Sequence, residues 1–228
     1  MDIHGLQKTT LLDYPGQVAC TVFLAGCNLR CPFCHNAPLV CGSPQPVLTQ
    51  EELFAFLKKR RGILDGVCIT GGEPTLRPDL PELIAGIRSL GYKVKLDTNG
   101  SNPAMLRHLL ADRLLDYVAM DIKNAPDRYR VTCGGVDVLE AVKESAGLLM
   151  ESGIDYEFRT TCIHPMHDVQ ALEEIGKWLA GANAYYLQNF VDSGDLVGTG
   201  VTGLPPQTME ALRQAVLPYI HNTQLRGI

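Results

Sequence analysis

From residue 18 onward the chain alternates short β-branched or apolar runs with segments whose apolar residues recur at i, i+3, i+4 and i+7. The first kind predicts buried strands: "VACTVFLAG" (18–26), "GVCIT" (66–70), "KVKLDT" (93–98), "YVAMDIK" (117–123), "YEFRTTC" (156–162) and "AYYLQNF" (184–190). The second predicts amphipathic helices in "TQEELFAFLKKRR", "LPELIAGIRSLG", "NPAMLRHLLADRL", "DVLEAVKESAGLLMESG", "DVQALEEIGKWLAG" and "PQTMEALRQAVLPYI". Start and stop signals agree with these limits. Thr49 and Glu52 stand in a capping-box arrangement, and Gly91, Gly153 and Gly181 sit where helix C-termini should fall. Six strand-then-helix units imply an α/β protein with a parallel sheet, either doubly wound or curved into an incompletely closed barrel. In both architectures ligands bind at the C-terminal ends of the strands.

The residues at those ends are polar, glycine-rich or metal-binding in every case. The first strand runs into Cys27, the second into "GGEPT" (71–75) and the third into "DTNG" (97–100). Asp121 and Lys123 close the fourth, Arg159 lies in the fifth and Gln188 in the sixth. The expected organisation is one domain over 1–228, with an N-terminal extension (1–17), a βα core (18–190) and a C-terminal loop and helix (191–228). The loop, "VDSGDLVGTGVTGLPP" (191–206), is rich in Gly and Asp and predicts a mobile surface segment.

Composition narrows the class. A chain of 228 residues buries roughly 70% of the surface its unfolded form exposes, so it needs no metal merely to fold. The formal net charge of −5 gives no basic footprint for nucleic acid, and the one dense basic run, "KKRR" (58–61), closes a helix where the macrodipole favours it. No leader-like N-terminus and no apolar run near the ~18 residues of a membrane span is present, so a cytoplasmic protein without membrane partners is expected. Eight cysteines in that compartment point to metal or redox chemistry in place of a disulfide framework.

Three of the eight cluster in "AGCNLRCPFCHN": Cys27, Cys31 and Cys34, spaced C-x3-C-x2-C. Pro32 pushes Cys31 away from helical angles, so this stretch is a curled loop. A closed structural metal site wants four protein ligands, whereas three thiolates around an Fe–S cubane leave one iron open. The competing readings are zinc with Cys41 or His35 as fourth ligand, and a four-cysteine ferredoxin-like carrier; neither spacing is matched.

"CNLRCPFC" followed by "GGEPT" resembles the radical S-adenosylmethionine (SAM) enzymes. The ordered run "GLQKTTLLDYPG", "CNLRCPFCHN", "GGEPT", "DTNG" and "MDIK" is similar to the anaerobic ribonucleoside-triphosphate reductase activating proteins, over nearly the whole chain. The resemblance implies a partial (β/α)6 TIM-like barrel with parallel strands. It implies a [4Fe-4S] cluster on Cys27, Cys31 and Cys34, with SAM on the fourth iron, and reductive cleavage to a 5′-deoxyadenosyl radical. That radical would take hydrogen from a glycine of a partner glycyl radical enzyme, anaerobic ribonucleotide reductase being the expected one, with flavodoxin or ferredoxin as electron donor.

Within that frame Phe33, His35, Asn36, Gly71, Gly72, Glu73, Asn99, Lys123, Arg159 and Gln188 are the candidate SAM-binding residues. Phe33 could pack on adenine or simply on its neighbours, and His35 and Asn36 could bond the cofactor or hold the loop. The glycines would let backbone approach a ligand, and Glu73 would accept from its ammonium group, with a plain turn as the alternative. Asp97, Thr98 and Asp121 offer hard oxygens for a monovalent cation beside the cofactor carboxylate, as in formate-lyase activating enzymes. Lys123 and Arg159 would aim positive charge at that carboxylate, or pair with Asp121 or Glu73.

Other features separate neighbouring readings. "LQNF" (187–190) departs from the Leu-Pro-aromatic-His segment of formate-lyase activators, and no second cysteine run for extra clusters is present. "GTGVTG" (198–203) matches G-x-G-x-x-G but lacks the tight strand-loop-helix context of a dinucleotide site, and "RVTCGG" (130–135) only echoes a glycyl-radical loop. Cys20, Cys68 and Cys162 read as small core hydrophobes, and Cys41 and Cys133 fall in loops without an assigned role. The rivals to an activase are a radical SAM enzyme acting on a small molecule and a non-enzymatic zinc or iron–sulfur protein.

Overall fold

The structure is a computed structural model and describes residues 1–192 and 194–228. In chain order the strands are β1 (Asp2–Ile3), β2 (Gly5–Thr10), β3 (Ala19–Leu24), β4 (Leu48–Thr49), β5 (Gly66–Gly71), β6 (Lys93–Thr98), β7 (Tyr117–Asp121), β8 (Asp155–Cys162), β9 (Tyr185–Asn189) and β10 (Thr223–Arg226). The helices are α1 (Ala37–Cys41), α2 (Gln50–Lys59), α3 (Leu80–Ser89), α4 (Pro103–Ala111), α5 (Tyr129–Thr132), α6 (Leu139–Glu151), α7 (Val169–Trp178) and α8 (Pro206–Val216), with a 3₁₀ turn at Pro74–Leu76. β1 and β4 form a small antiparallel pair, and the others make one sheet ordered β10-β9-β8-β7-β6-β5-β3-β2.

All six predicted core strands and all six predicted helices are present. Spatial neighbours follow chain order, which selects barrel-type winding over a doubly wound sheet, whose order reverses at a switch point. The six βα units stand as expected, and among the described residues two further strands flank them in the sheet. The N-terminal extension supplies β2, antiparallel to β3, and the C-terminal segment supplies β10, parallel to β9. Among the described residues the two end strands do not pair with each other, so the sheet is an open barrel.

The strands carry apolar residues on the helix-covered face and polar residues on the other. Val94, Leu96, Val118, Met120, Phe158 and Leu187 are fully buried in the core. Leu83, Ile84 and Ile87 of α3 are likewise inaccessible, each worth roughly 2 kcal/mol of burial. The alternate positions Lys95, Asp97, Asp121, Glu157, Arg159 and Gln188 line the interior cavities.

The helix boundaries follow the expected chemistry. Thr49 Oγ1 accepts from Glu52 N–H (3.3 Å) while Glu52 Oε2 accepts from Thr49 N–H (2.8 Å). The 191–206 segment, of which Ser193 lies outside the described residues, is tethered. Gly198 N–H donates to the Pro32 carbonyl (2.9 Å), His164 and Thr202 exchange backbone bonds, and Asn189 bonds both the N–H and the carbonyl of Leu204. Among the described residues no helix is long and apolar enough to cross a membrane.

Candidate active site

Cys27, Cys31 and Cys34 lie on the loop after β3 and line one cavity of about 280 Å³ at the C-terminal ends of the strands. The same cavity is lined by Phe33, His35, Asn36, Gly71, Gly72, Asp97, Thr98, Asn99, Asp121, Lys123, Arg159 and Gln188. Residues from six successive strand ends, separated by more than 150 positions from Cys27 to Gln188, thus face one space.

The loop is held by backbone. Gly72 N–H donates to Leu24 C=O (2.8 Å), Glu73 N–H to Gly26 C=O (2.7 Å), and Gly26 N–H to Leu39 C=O (2.9 Å). Asn36 Nδ2 adds a bond to Gly71 C=O (2.7 Å). Gly71 has φ +119°, and a Cβ there would stand 2.6 Å from Leu24 N; one on Gly72 would overlap the Gly26 carbonyl. The close approach anticipated for these glycines is therefore made first to the protein's own cysteine loop.

Glu73 is buried and absent from the cavity lining, its carboxylate enclosed by its own neighbours. Oε1 accepts from Thr75 N–H (3.0 Å), Thr75 Oγ1 (2.5 Å) and Thr98 Oγ1 (2.7 Å), and Oε2 from Asn99 N–H (2.6 Å). Burial raises its pKa despite these donors. It braces the "DTNG" turn.

The opposite wall is an ion-pair lattice. Arg159 Nε donates to Asp121 Oδ1 (3.0 Å) and its NH1 to Asp97 Oδ2 (3.3 Å). Lys123 Nζ donates to Asp121 Oδ2 (2.9 Å), and Lys95 Nζ to Asp97 Oδ1. Burial opposes the Asp121 charge, yet Lys123 and Arg159 hold its pKa down to about 2. Burial likewise opposes the Lys123 charge, and Asp121 outweighs it, raising that pKa. Of the residues expected to hold a cation, Asp97 and Asp121 meet basic side chains here and the Thr98 hydroxyl donates to Glu73.

The thiols differ among themselves. Burial pushes Cys27 up to about 11 and raises Cys34 as well. Cys31 is lowered, because the thiol of Cys133 hydrogen-bonds it. Cys27 Sγ accepts from Leu29 N–H (3.4 Å) and faces Asn99 Nδ2 at 3.8 Å. Phe33 is buried under Lys123, whose Nζ stands 5.9 Å from the ring centroid. His35 stacks on Phe190 at 5.1 Å, and burial lowers its pKa.

Sequence reading missed several residues of this site. Thr70 and Thr161 line the cavity, the latter two positions beyond Arg159 and therefore on the same strand face. Asn28 bonds Asn99 Nδ2 (3.1 Å) and Ser101 Oγ (2.9 Å), joining the cysteine loop to "DTNG". Cys133 carried no signal at all.

Residues 21–179, more than half of the chain, match the Radical SAM superfamily. The chain belongs to that superfamily. It is 30% identical to a Methanocaldococcus jannaschii protein provisionally named a glycyl-radical enzyme activating enzyme, over 99% of this chain and 96% of that one. It is 45% identical to the 7-carboxy-7-deazaguanine synthase of Hyperthermus butylicus over 41% of this chain and 40% of that enzyme. Streptococcus suis SuiB, solved bound to S-adenosylmethionine, superposes with a TM-score of 0.70 at 15% identity, over 91% of this chain and 52% of SuiB, a likeness of fold.

Radical SAM membership implies a [4Fe-4S] cluster and SAM, and the donor set fits. Three thiols of one loop face a single cavity, while Cys41 is exposed and does not line it. Among the described residues no three His, Cys, Asp or Glu side chains converge on one metal ion, whereas a cubane spreads its thiolates one to an iron.

Proposed function

We propose that this enzyme activates a glycyl radical enzyme, anaerobic ribonucleoside-triphosphate reductase being the partner its motif order favours. The observation that carries this reading is the near end-to-end match, at 30% identity, with the M. jannaschii protein. When bound, the cluster supplies one electron for cleavage of SAM to methionine and a 5′-deoxyadenosyl radical, which takes a hydrogen atom from a glycine Cα of the partner.

The chain's own residues have separable tasks. Cys27, Cys31 and Cys34 would hold the cluster, and Arg159 and Lys123 would offer donors to a cofactor carboxylate. An ammonium carries three donors and a guanidinium five, so bonds remain after Asp97 and Asp121 are served. Phe33, His35, Asn36, Gly71, Gly72, Asn99 and Gln188 shape the remaining walls of the cavity.

A macromolecular substrate is supported by a second opening. Leu11, Leu12, Asp13, Arg226 and Gly227 border a cleft between the two sheet edges, and it shares Asp97, Arg159 and Gln188 with the first cavity. Leu11 and Leu12 are 72% and 90% exposed, an apolar lip suited to a partner's loop. A flavodoxin or ferredoxin is the proposed electron source.

The test is anaerobic reconstitution followed by incubation with a reductase, SAM and dithionite. A glycine-centred doublet in the paramagnetic resonance spectrum is expected, with loss of both iron and 5′-deoxyadenosine formation in Cys31→Ala. The second reading, a small-molecule radical SAM enzyme, draws on the local 45% identity with the deazaguanine synthase. It prevails if SAM is cleaved but no glycyl radical enzyme yields a doublet.

A further inference from the structure

We propose that His167 is a positioning residue: it fixes the backbone of Lys123 and so aims the Lys123 ammonium group into the cavity. The inference rests on the reading that Lys123 offers a donor to the carboxylate of SAM bound there.

Lys123 stands just past the sheet. β7 ends at Asp121, and Ile122 N–H still donates to Arg159 C=O on β8 (2.7 Å). At Lys123 side chains take over from the ladder. Its N–H donates to the Tyr129 hydroxyl (3.3 Å), and its carbonyl accepts from His167 Nε2 (2.9 Å). Both partners are buried. The following residue, Asn124, donates from Nδ2 to Met166 C=O (3.1 Å), so the segment before α7 grips this stretch at two consecutive residues.

The tautomer of His167 follows from its two bonds. Ile163 N–H donates to Nδ1 (3.1 Å), so Nδ1 carries no proton, and a carbonyl can only accept, so Nε2 carries one. His167 N–H returns a bond to Ile163 C=O (3.0 Å), which closes the turn around the ring. The ring is absent from the cavity lining, whereas Lys123 belongs to it. His167 therefore does not touch a ligand there, and its bond to Lys123 is its route to the cavity. A lysine stem is long and flexible, so its head is aimed from both ends. Asp121 holds Nζ at 2.9 Å, while His167 and Tyr129 hold the peptide groups at the base. A donor fixed in advance has less freedom to lose when a carboxylate arrives.

The test uses the full chain with a reconstituted, oxidised cluster, so that SAM binds without being cleaved, and reads its dissociation constant by anaerobic calorimetry. His167→Gln keeps a donor where Nε2 stands, and His167→Asn keeps an acceptor where Nδ1 stands; each loses the other bond. Urea midpoints should fall alike in both. SAM affinity should fall about fivefold in His167→Asn and stay within about twofold of wild type in His167→Gln. On a Lys123→Met background, itself weakened toward SAM, His167→Asn should cause no further loss. Equal affinities in the two His167 variants, or the full loss repeated on the Lys123→Met background, overturn this inference alone. So does a ¹⁵N imidazole spectrum of the wild-type protein at neutral pH that shows His167 as the Nδ1–H tautomer or as imidazolium, a measurement that stands even where a variant does not fold. Wild-type SAM affinity in Lys123→Met, or a wild-type protein that binds no SAM, overturns it together with the reading beneath it.

Discussion

On the cysteine side of the cavity backbone is pressed against backbone: Gly71 and Gly72 lie so close to Leu24 and Gly26 that a methyl group cannot be inserted. On the far side long charged side chains reach across the sheet, Arg159 tying Asp97 to Asp121 and Lys123 closing the lattice. The first wall ends in thiols, of which burial holds Cys27 and Cys34 against ionising, so it waits for iron to complete it. The second satisfies its own charges before any ligand arrives. The cavity therefore joins a wall that gains its chemistry from a cofactor to one that supplies fixed polarity.

The two walls should fail differently. The largest loss is expected from Gly71→Ala, which combines a left-handed backbone with overlap at Leu24, and should destabilise the fold by roughly 4 kcal/mol. A lowered urea midpoint with an unchanged m-value is the measurement. Arg159→Met leaves two partly buried carboxylates each short of a partner and should cost roughly 2 kcal/mol. A cost under about 0.5 kcal/mol would show that the lattice is solvated and the contrast between the walls is wrong.

Acid should strip the charged wall first. The folded pKa of Asp121, about 2, lies below its unfolded value of about 3.9. Its contribution is fully present above about pH 4 and is lost as the pH falls through about 2. Asp121→Asn should lower stability at pH 5 to 6, where the wild-type contribution is fully present, and flatten the profile between about pH 4 and 2. The smallest effect on the fold belongs to Leu11→Ser with Leu12→Ser, within about 0.5 kcal/mol because both side chains are exposed. On the proposed function this pair slows radical transfer to the protein partner while sparing SAM cleavage without it. Equal loss of both would place these leucines outside partner docking.

The βα core was legible because its strands and helices are long enough for a hydrophobic period to show. β2 was not: "GLQKTT" is an edge strand whose Gln7, Lys8 and Thr9 stay exposed, so it reads as polar chain. β10 spans four residues, and α1 and α5 five and four, too short for a helical or strand period to declare itself. The site residues were legible as strand-end chemistry, but their partners were not. No spacing tells that Glu73 is sealed by Thr75, Thr98 and Asn99, or that Arg159 bridges Asp97 and Asp121. The meeting of Cys31 with Cys133 depends on where α5 lands on the cysteine loop, which only the fold decides.

The open sheet, with neighbours in chain order, also sets a calendar for assembly. The cysteine loop leaves the ribosome early, but its cavity draws a wall from each later strand end as far as Gln188. A nascent chain stopped short of β9 can present the three thiols to solvent yet cannot enclose them. Metal loading into a finished pocket therefore follows the formation of β9 and not that of the cysteine loop.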